Sequence, residues 1–239
     1  MSANEVDLLV AHLRRGGRKA IKACESIPEH VAERQDKSRF AELGGMALLV
    51  ARTRNCTSTS KISPVCDAIL RLSENRCDYL LMIAEVRQKE KESDFPLAIP
   101  LIPFYHIIHR ECSRAFVEAG GVKRLSKLFA VFPTNLSVKV ALVRILVSVS
   151  TQEETAGSQL SFFRQPGIIQ RLVKAMNDDP MEPELVKYFC MLLTNLATDQ
   201  ICRQAIGQAG MQTCTISFPR ERVSPCCLLC IISCFAHCP

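Results

Sequence analysis

A seven-residue phrase recurs along this chain. Phe116-Val117-Glu118-Ala119-Gly120-Gly121-Val122 repeats Phe40-Ala41-Glu42-Leu43-Gly44-Gly45-Met46. Looser copies follow in Phe162-Phe163-Arg164-Gln165-Pro166-Gly167-Ile168 and Ala205-Ile206-Gly207-Gln208-Ala209-Gly210-Met211. Each copy ends one apolar helical pattern and opens another. Anchored on the last glycine of each turn, Gly45, Gly121, Gly167 and Gly210 lie 76, 46 and 43 residues apart, and 76 reads as two units. A period near 40 residues with two or three helices per unit is that of a helical array. No unit covers its own apolar face, so neighbours must stack into one continuous core.

In chain order, Ser2 and Glu5 form a capping box that starts a helix. Val6, Leu9, Val10 and Leu13 fall on one helical face, and Gly16-Gly17 stops it. Ala20, Ile21, Cys24 and Ile27 make a second face ended by Pro28, and a more polar helix is expected from there to Leu43. A loop is expected over Asn55 to Lys61 and a helix over Pro64 to Ala84. Residues 85–110 break the pattern with a charge run and with Pro96, Pro100 and Pro103, as an irregular insertion or a degenerate repeat. Helices return over Val122 to Leu128, Val138 to Val149, Ile168 to Val173, Glu184 to Ala197 and Asp199 to Ala209. Thr155 to Ser161 reads as a loop and Asn177 to Pro180 as a turn.

Composition agrees with helix-on-helix packing. Apolar residues are 48% of the 239, with no Trp and three Tyr. A net charge of +6 is a mild basic bias rather than a nucleic-acid signature. Six of the thirteen Cys, namely Cys24, Cys66, Cys77, Cys112, Cys190 and Cys202, sit in apolar helical patterns. Free thiols behave there as small core residues, which implies a reducing compartment. No apolar run is long enough to span a membrane, and no signal peptide is visible.

The stretch from Pro183 to Gly210, with Leu192-Leu193-Thr194-Asn195-Leu196-Ala197 and the glycine turn, resembles an armadillo repeat. The resemblance covers roughly residues 1–215, with a gap near 85–110. It implies an all-α, right-handed armadillo-like solenoid whose third helices line a concave groove for an extended peptide or partner protein. It also implies that the motif Asn hydrogen-bonds the bound backbone. Asn195 matches that Asn, whereas the equivalent positions hold Ser148 and Arg71, so the asparagine ladder is not kept. Nuclear-import adaptors of the family carry a Trp one turn before that Asn. Here the position is Met191, which argues against a classical import receptor.

The expected groove residues are therefore Arg71, Ser148, Met191 and Asn195, with Lys139, Arg144 and Lys187 as cations that could edge it for an acidic peptide. Residues 216–239 read as a divergent tail after a unit that Gly210 opens and the chain does not finish. The tail holds Cys226, Cys227, Cys230, Cys234, Cys238 and His237, a set that would serve zinc or lipidation if it served anything. His106 and His109 stand three apart with no carboxylate constellation beyond Glu111, and no phosphate loop, nucleophile elbow or zincin motif occurs. The sequence therefore points to a non-enzymatic interaction scaffold of the cytoplasm or nucleus, without cofactor, membrane span or nucleic-acid partner. A co-chaperone or assembly factor holding clients is the alternative within that class, and a zinc protein using the tail is the alternative outside it.

Overall fold

The structure is a computed structural model, and it describes residues 3–31, 33–54, 56–73, 110–151, 156–179 and 182–209. Every regular element among the described residues is an α-helix. In chain order they are α1 (Ala3–Arg15), α2 (Gly17–His30), α3 (Arg34–Glu42), α4 (Gly45–Thr53), α5 (Thr59–Ser73) and α6 (Arg110–Glu118). Then come α7 (Gly121–Val131), α8 (Leu136–Ser150), α9 (Ala156–Phe163), α10 (Ile168–Asn177), α11 (Pro183–Ala197) and α12 (Gln200–Gln208).

The order of lengths gives the repeat. A short helix, a second helix and a longer third helix recur as α3–α4–α5, α6–α7–α8 and α9–α10–α11. The pair α1–α2 precedes them as second and third helices, and α12 follows as a first helix. Third helices stack on third helices, α2 on α5, α5 on α8 and α8 on α11. Second helices do the same, α1 on α4, α4 on α7 and α7 on α10. The units on either side of residues 74–109 are thus direct neighbours, with α3 on α6 and α5 on α8. The 76 residues from Gly45 to Gly121 therefore make one step of the stack, not the two expected from the period.

Burial explains why the helices need one another. α8 is enclosed by α5 and α11, and eleven of its fifteen residues are buried, from Val138 through Ser150. α10 by contrast buries one stripe, Ile168, Ile169, Leu172, Val173, Ala175 and Met176. Each large apolar side chain so removed from water contributes about 1.5–3 kcal/mol, and the stripes meet in one continuous core. Local signals set the ends. Asn135 accepts from Val138 N–H at 3.0 Å and caps α8, while its Nδ2 donates to Thr59 Oγ1 at the start of α5. Asp199 Oδ1 accepts from Cys202 N–H at 2.9 Å and caps α12.

Three expectations are corrected. Pro28 does not end the second helix. α2 runs on to His30, because a proline in the last turn costs one hydrogen bond while Ile27 stays fully buried. The segment expected as a loop from Thr155 to Ser161 is mostly α9, whose Leu160 and Phe163 are buried against the preceding unit. Tertiary burial overrides its weak local propensity. Pro64 lies inside α5 rather than opening it. The Ser2 cap, residues 74–109 and the tail lie outside the described residues.

The two glycines of each turn differ in conformation. Gly44, Gly120 and Gly167 take φ of 77°, 78° and 77°, whereas Gly45 and Gly121 are the first residues of α4 and α7. The left-handed residue is thus the first glycine of each pair, and Gly167 matches Gly44 and Gly120. It closes the first helix, with Gly120 N–H donating to Val117 O at 2.9 Å, and its own carbonyl accepts from Arg124 N–H. Gly45 and Gly121 serve another purpose: a Cβ there would strike the Phe40 or Phe116 ring at 2.4 and 2.3 Å. Gly210 lies outside the described residues.

Candidate functional site

The third helices form one layer, and each keeps a stripe open that its neighbours do not cover. On α5 the stripe is Ser63, Pro64, Asp67 and Arg71; on α8 it narrows to Ala141 and Arg144; on α11 it holds Lys187, Tyr188, Met191 and Asn195. These positions follow the i, i+3, i+4, i+7 spacing of one helical face. Asn195 Nδ2 donates to Ser150 Oγ at 2.9 Å, so α11 is tied to the end of α8. That uses one of the two amide N–H groups and leaves Oδ1 and the second N–H as further hydrogen-bonding capacity.

Arg144 and Tyr188 meet across the step from α8 to α11. The guanidinium carbon lies 5.6 Å from the ring centroid, and Lys187 Nζ lies at the same distance from the same ring. Cations over an aromatic face are attracted by its quadrupole. The contact holds Arg144 in place while its planar N–H edge keeps its donor geometry. Tyr188 was not expected from the sequence. Its position between Lys187 and Met191, on the polar stripe of an otherwise apolar helix, is the signal that would have found it.

The expected groove residues are placed unevenly. Arg71, Met191 and Asn195 are half-buried on the open stripes, one each on α5, α11 and α11. Ser148, in the same register as Asn195, is only 2% exposed, and Lys139 likewise. Lys139 does not edge a groove: its ammonium pairs with Asp179, in the turn after α10, inside the contact between units. A buried ammonium needs such a partner.

Hydrogen bonds between second helices were also missed. Arg52 Nη2 donates to Leu13 O at 2.5 Å, Arg124 Nη2 to Thr53 O at 2.7 Å, and Arg171 Nε to Ser126 Oγ at 3.3 Å. Each arginine reaches from one second helix to the one before it. The recurrence of Arg four residues after the turn glycine, Gly120 to Arg124 and Gly167 to Arg171, was visible in the sequence.

The chemistry of the described residues is that of a packed array. Burial pushes the thiols of Cys24, Cys112 and Cys202 up to about 12 and raises those of Cys56 and Cys66. None is an activated nucleophile. Among the described residues no group of three or more His, Cys, Asp and Glu could hold a metal, and no helix is long and apolar enough to cross a membrane. His106, His109 and the tail cysteines lie outside them.

No protein-family model matches the chain, and no curated protein matches it in sequence. Solved structures do. A designed armadillo repeat protein in complex with the peptide (KR)4 superposes with a TM-score of 0.65 at 16% identity, over 95% of this chain and 80% of that one. An engineered protein gives 0.52 at 17% identity, over 99% and 97%. A second engineered protein gives 0.51 at 18%, over 98% of this chain and 58% of its own. At these identities the likeness is one of fold, and with the stacked triplets above it gives the chain an all-α, armadillo-like repeat fold.

Proposed function

We propose that this chain is a non-enzymatic scaffold that holds an extended segment of a partner polypeptide along its third-helix layer. The observation that carries the reading is the continuity of the open stripes across α5, α8 and α11, with Arg71, Arg144, Tyr188, Met191 and Asn195 brought onto one layer. An extended peptide repeats every ~3.3 Å and leaves its backbone groups unpaired, so it needs hydrogen-bonding side chains at intervals and shallow apolar contacts between them. Asn195 supplies amide groups, Tyr188 and Met191 apolar surface, and Arg71 and Arg144 planar donors. The designed armadillo protein that superposes on this chain is itself a peptide complex. Six buried free thiols fit a reducing compartment, and so the cytoplasm or nucleus.

The test is affinity capture from cell lysate with the full chain, comparing wild type with Tyr188→Ala/Asn195→Ala. The double variant should fold with unchanged helicity and lose the proteins that wild type retains. Equal recovery by both chains would overturn the assignment of this layer.

A further inference from the structure

The second helices carry an unbalanced charge that the scaffold reading does not use. α4, α7 and α10 contain no Asp or Glu, yet hold Arg52, Lys123, Arg124, Lys127, Arg171 and Lys174. The guanidinium groups of Arg52, Arg124 and Arg171 are turned to the preceding second helix, as described above. Lys123, Lys127 and Lys174 are exposed instead. Arg15 at the end of α1 and Arg54 just past α4 extend the same layer and are exposed too.

Helix stability does not account for all of them. Cations are favoured in the last turn of a helix, which covers Arg15 and Lys174. Lys123 lies in the first turn of α7, where the helix dipole disfavours a positive charge. The adjoining carboxylates are few. Glu42 and Glu118 belong to first helices and face Arg39 and Arg114 at 3.8 Å. Asp178 follows α10, and on α1 Glu5 stands at the far end from Arg15 while Asp7 pairs with Arg39 of α3 at 3.3 Å.

Two of the exposed large aliphatic side chains lie on this layer as well: Leu8 on α1 is 56% exposed and Val131 on α7 is 46% exposed. Leu8 and Arg15 are seven apart, and Lys127 and Val131 four apart, so cation and aliphatic share a helical face in both cases. Between them the exposed side chains include Ala47, Ala51 and Ala130, which add no bulk. No aromatic side chain is exposed on the second helices, since Phe129 is buried. A surface built to stack bases would present one.

We infer that the second-helix layer is a docking surface for an anionic phospholipid membrane. Lys123, Lys127 and Lys174 meet the headgroup charge, and Leu8 and Val131 enter the headgroup boundary. Basic side chains at such a surface act additively, and apolar side chains beside them supply the non-electrostatic part.

The experiment is flotation of the full chain with phosphatidylcholine vesicles, with and without phosphatidylserine. The chain should float with the anionic vesicles alone, and less as salt is raised. Lys123→Glu/Lys127→Glu/Lys174→Glu should weaken this by roughly 100-fold with unchanged helicity, whereas the Lys→Arg triple variant keeps it. Arg144→Glu/Lys187→Glu on the third-helix layer should leave flotation intact, which separates this surface from the peptide-holding one. Equal flotation with neutral vesicles, or no effect of the Glu variant, would overturn the inference. So would a short DNA duplex that binds the chain more tightly than anionic vesicles do at the same salt.

Discussion

Phe116 packs its ring over Gly121 so closely that a Cβ on the glycine would lie 2.3 Å from it, and Phe40 and Gly45 repeat the relationship at 2.4 Å. Both rings are fully buried, so neither can swing away. The two glycines of the turn can therefore be told apart by substitution. Gly121→Ala forces the core and should cost about 1–3 kcal/mol. Gly120→Ala meets open space but takes a left-handed φ, and should cost about 1–2 kcal/mol. Phe116→Leu should relieve Gly121→Ala and leave Gly120→Ala unrelieved. Urea unfolding of the two double variants checks this, and additivity in both would show that the ring is not the obstacle.

The pair Lys139–Asp179 joins α8 to the turn after α10, and the Lys139 side chain is only 2% exposed. Asp179→Ala would leave that charge buried without compensation, and a loss of about 3–5 kcal/mol is expected. Lys139→Met removes the charge and keeps the stem, so it should be near neutral. Denaturant midpoints of the two variants give the comparison. Similar losses in both would mean that the charge itself stabilises the step between units.

The contrast with the sequence is instructive at this pair. Lys139 reads as a groove-edging cation because its partner is 40 residues away and helical periodicity says nothing about which unit follows. Two of the third helices were legible nearly to their ends, since α8 runs Leu136–Ser150 against an expected Val138 to Val149 and α11 runs Pro183–Ala197 against an expected Glu184 to Ala197. Strong apolar periodicity over fifteen residues leaves little room for error. α9 was not legible, because Gly157, Ser158 and Ser161 weaken its local signal and Leu160 and Phe163 act only through the neighbouring unit. The glycine register slipped by one at Gly167, because Ile168 replaces the second glycine there and the left-handed position cannot be read from spacing. Of the candidate site, Arg71, Met191 and Asn195 could be placed on third helices from one motif. The pairing of Arg144 with Tyr188 depends on two helices lying side by side.

Asp199 gives a pH dependence of known sign. Arg164 donates to both of its oxygens, Nη2 to Oδ2 at 2.5 Å and Nε to Oδ1 at 3.2 Å, and these bonds hold its carboxyl below the ordinary carboxylate range. A depressed folded-state pKa contributes stability above the unfolded value of 3.8, and that contribution is lost as pH falls through the folded value. Asp199→Asn keeps an N-cap oxygen for Cys202 N–H and removes the charge. The variant should be less stable than wild type at neutral pH, and the two should converge in acid. Thermal melts at pH 7 and pH 3 measure the gap; a constant gap would place the effect in the cap rather than in the charge.

The buried thiols set the alkaline limit. Burial pushes Cys24, Cys112 and Cys202 from about 9 up to about 12, and raises Cys66 further. The unfolded chain releases these protons near pH 9 while the folded chain keeps them. Their contribution is thus full below pH 9 and is lost as pH rises toward 12. Stability should fall between those values, and Cys66→Ala/Cys112→Ala should flatten that fall even though it lowers stability at pH 7. The same thiols should resist iodoacetamide at pH 8 in the native chain and react once urea unfolds it, read peptide by peptide by mass spectrometry. Ready alkylation of Cys66 in the native chain would mean that α5 opens well below the free energy of global unfolding.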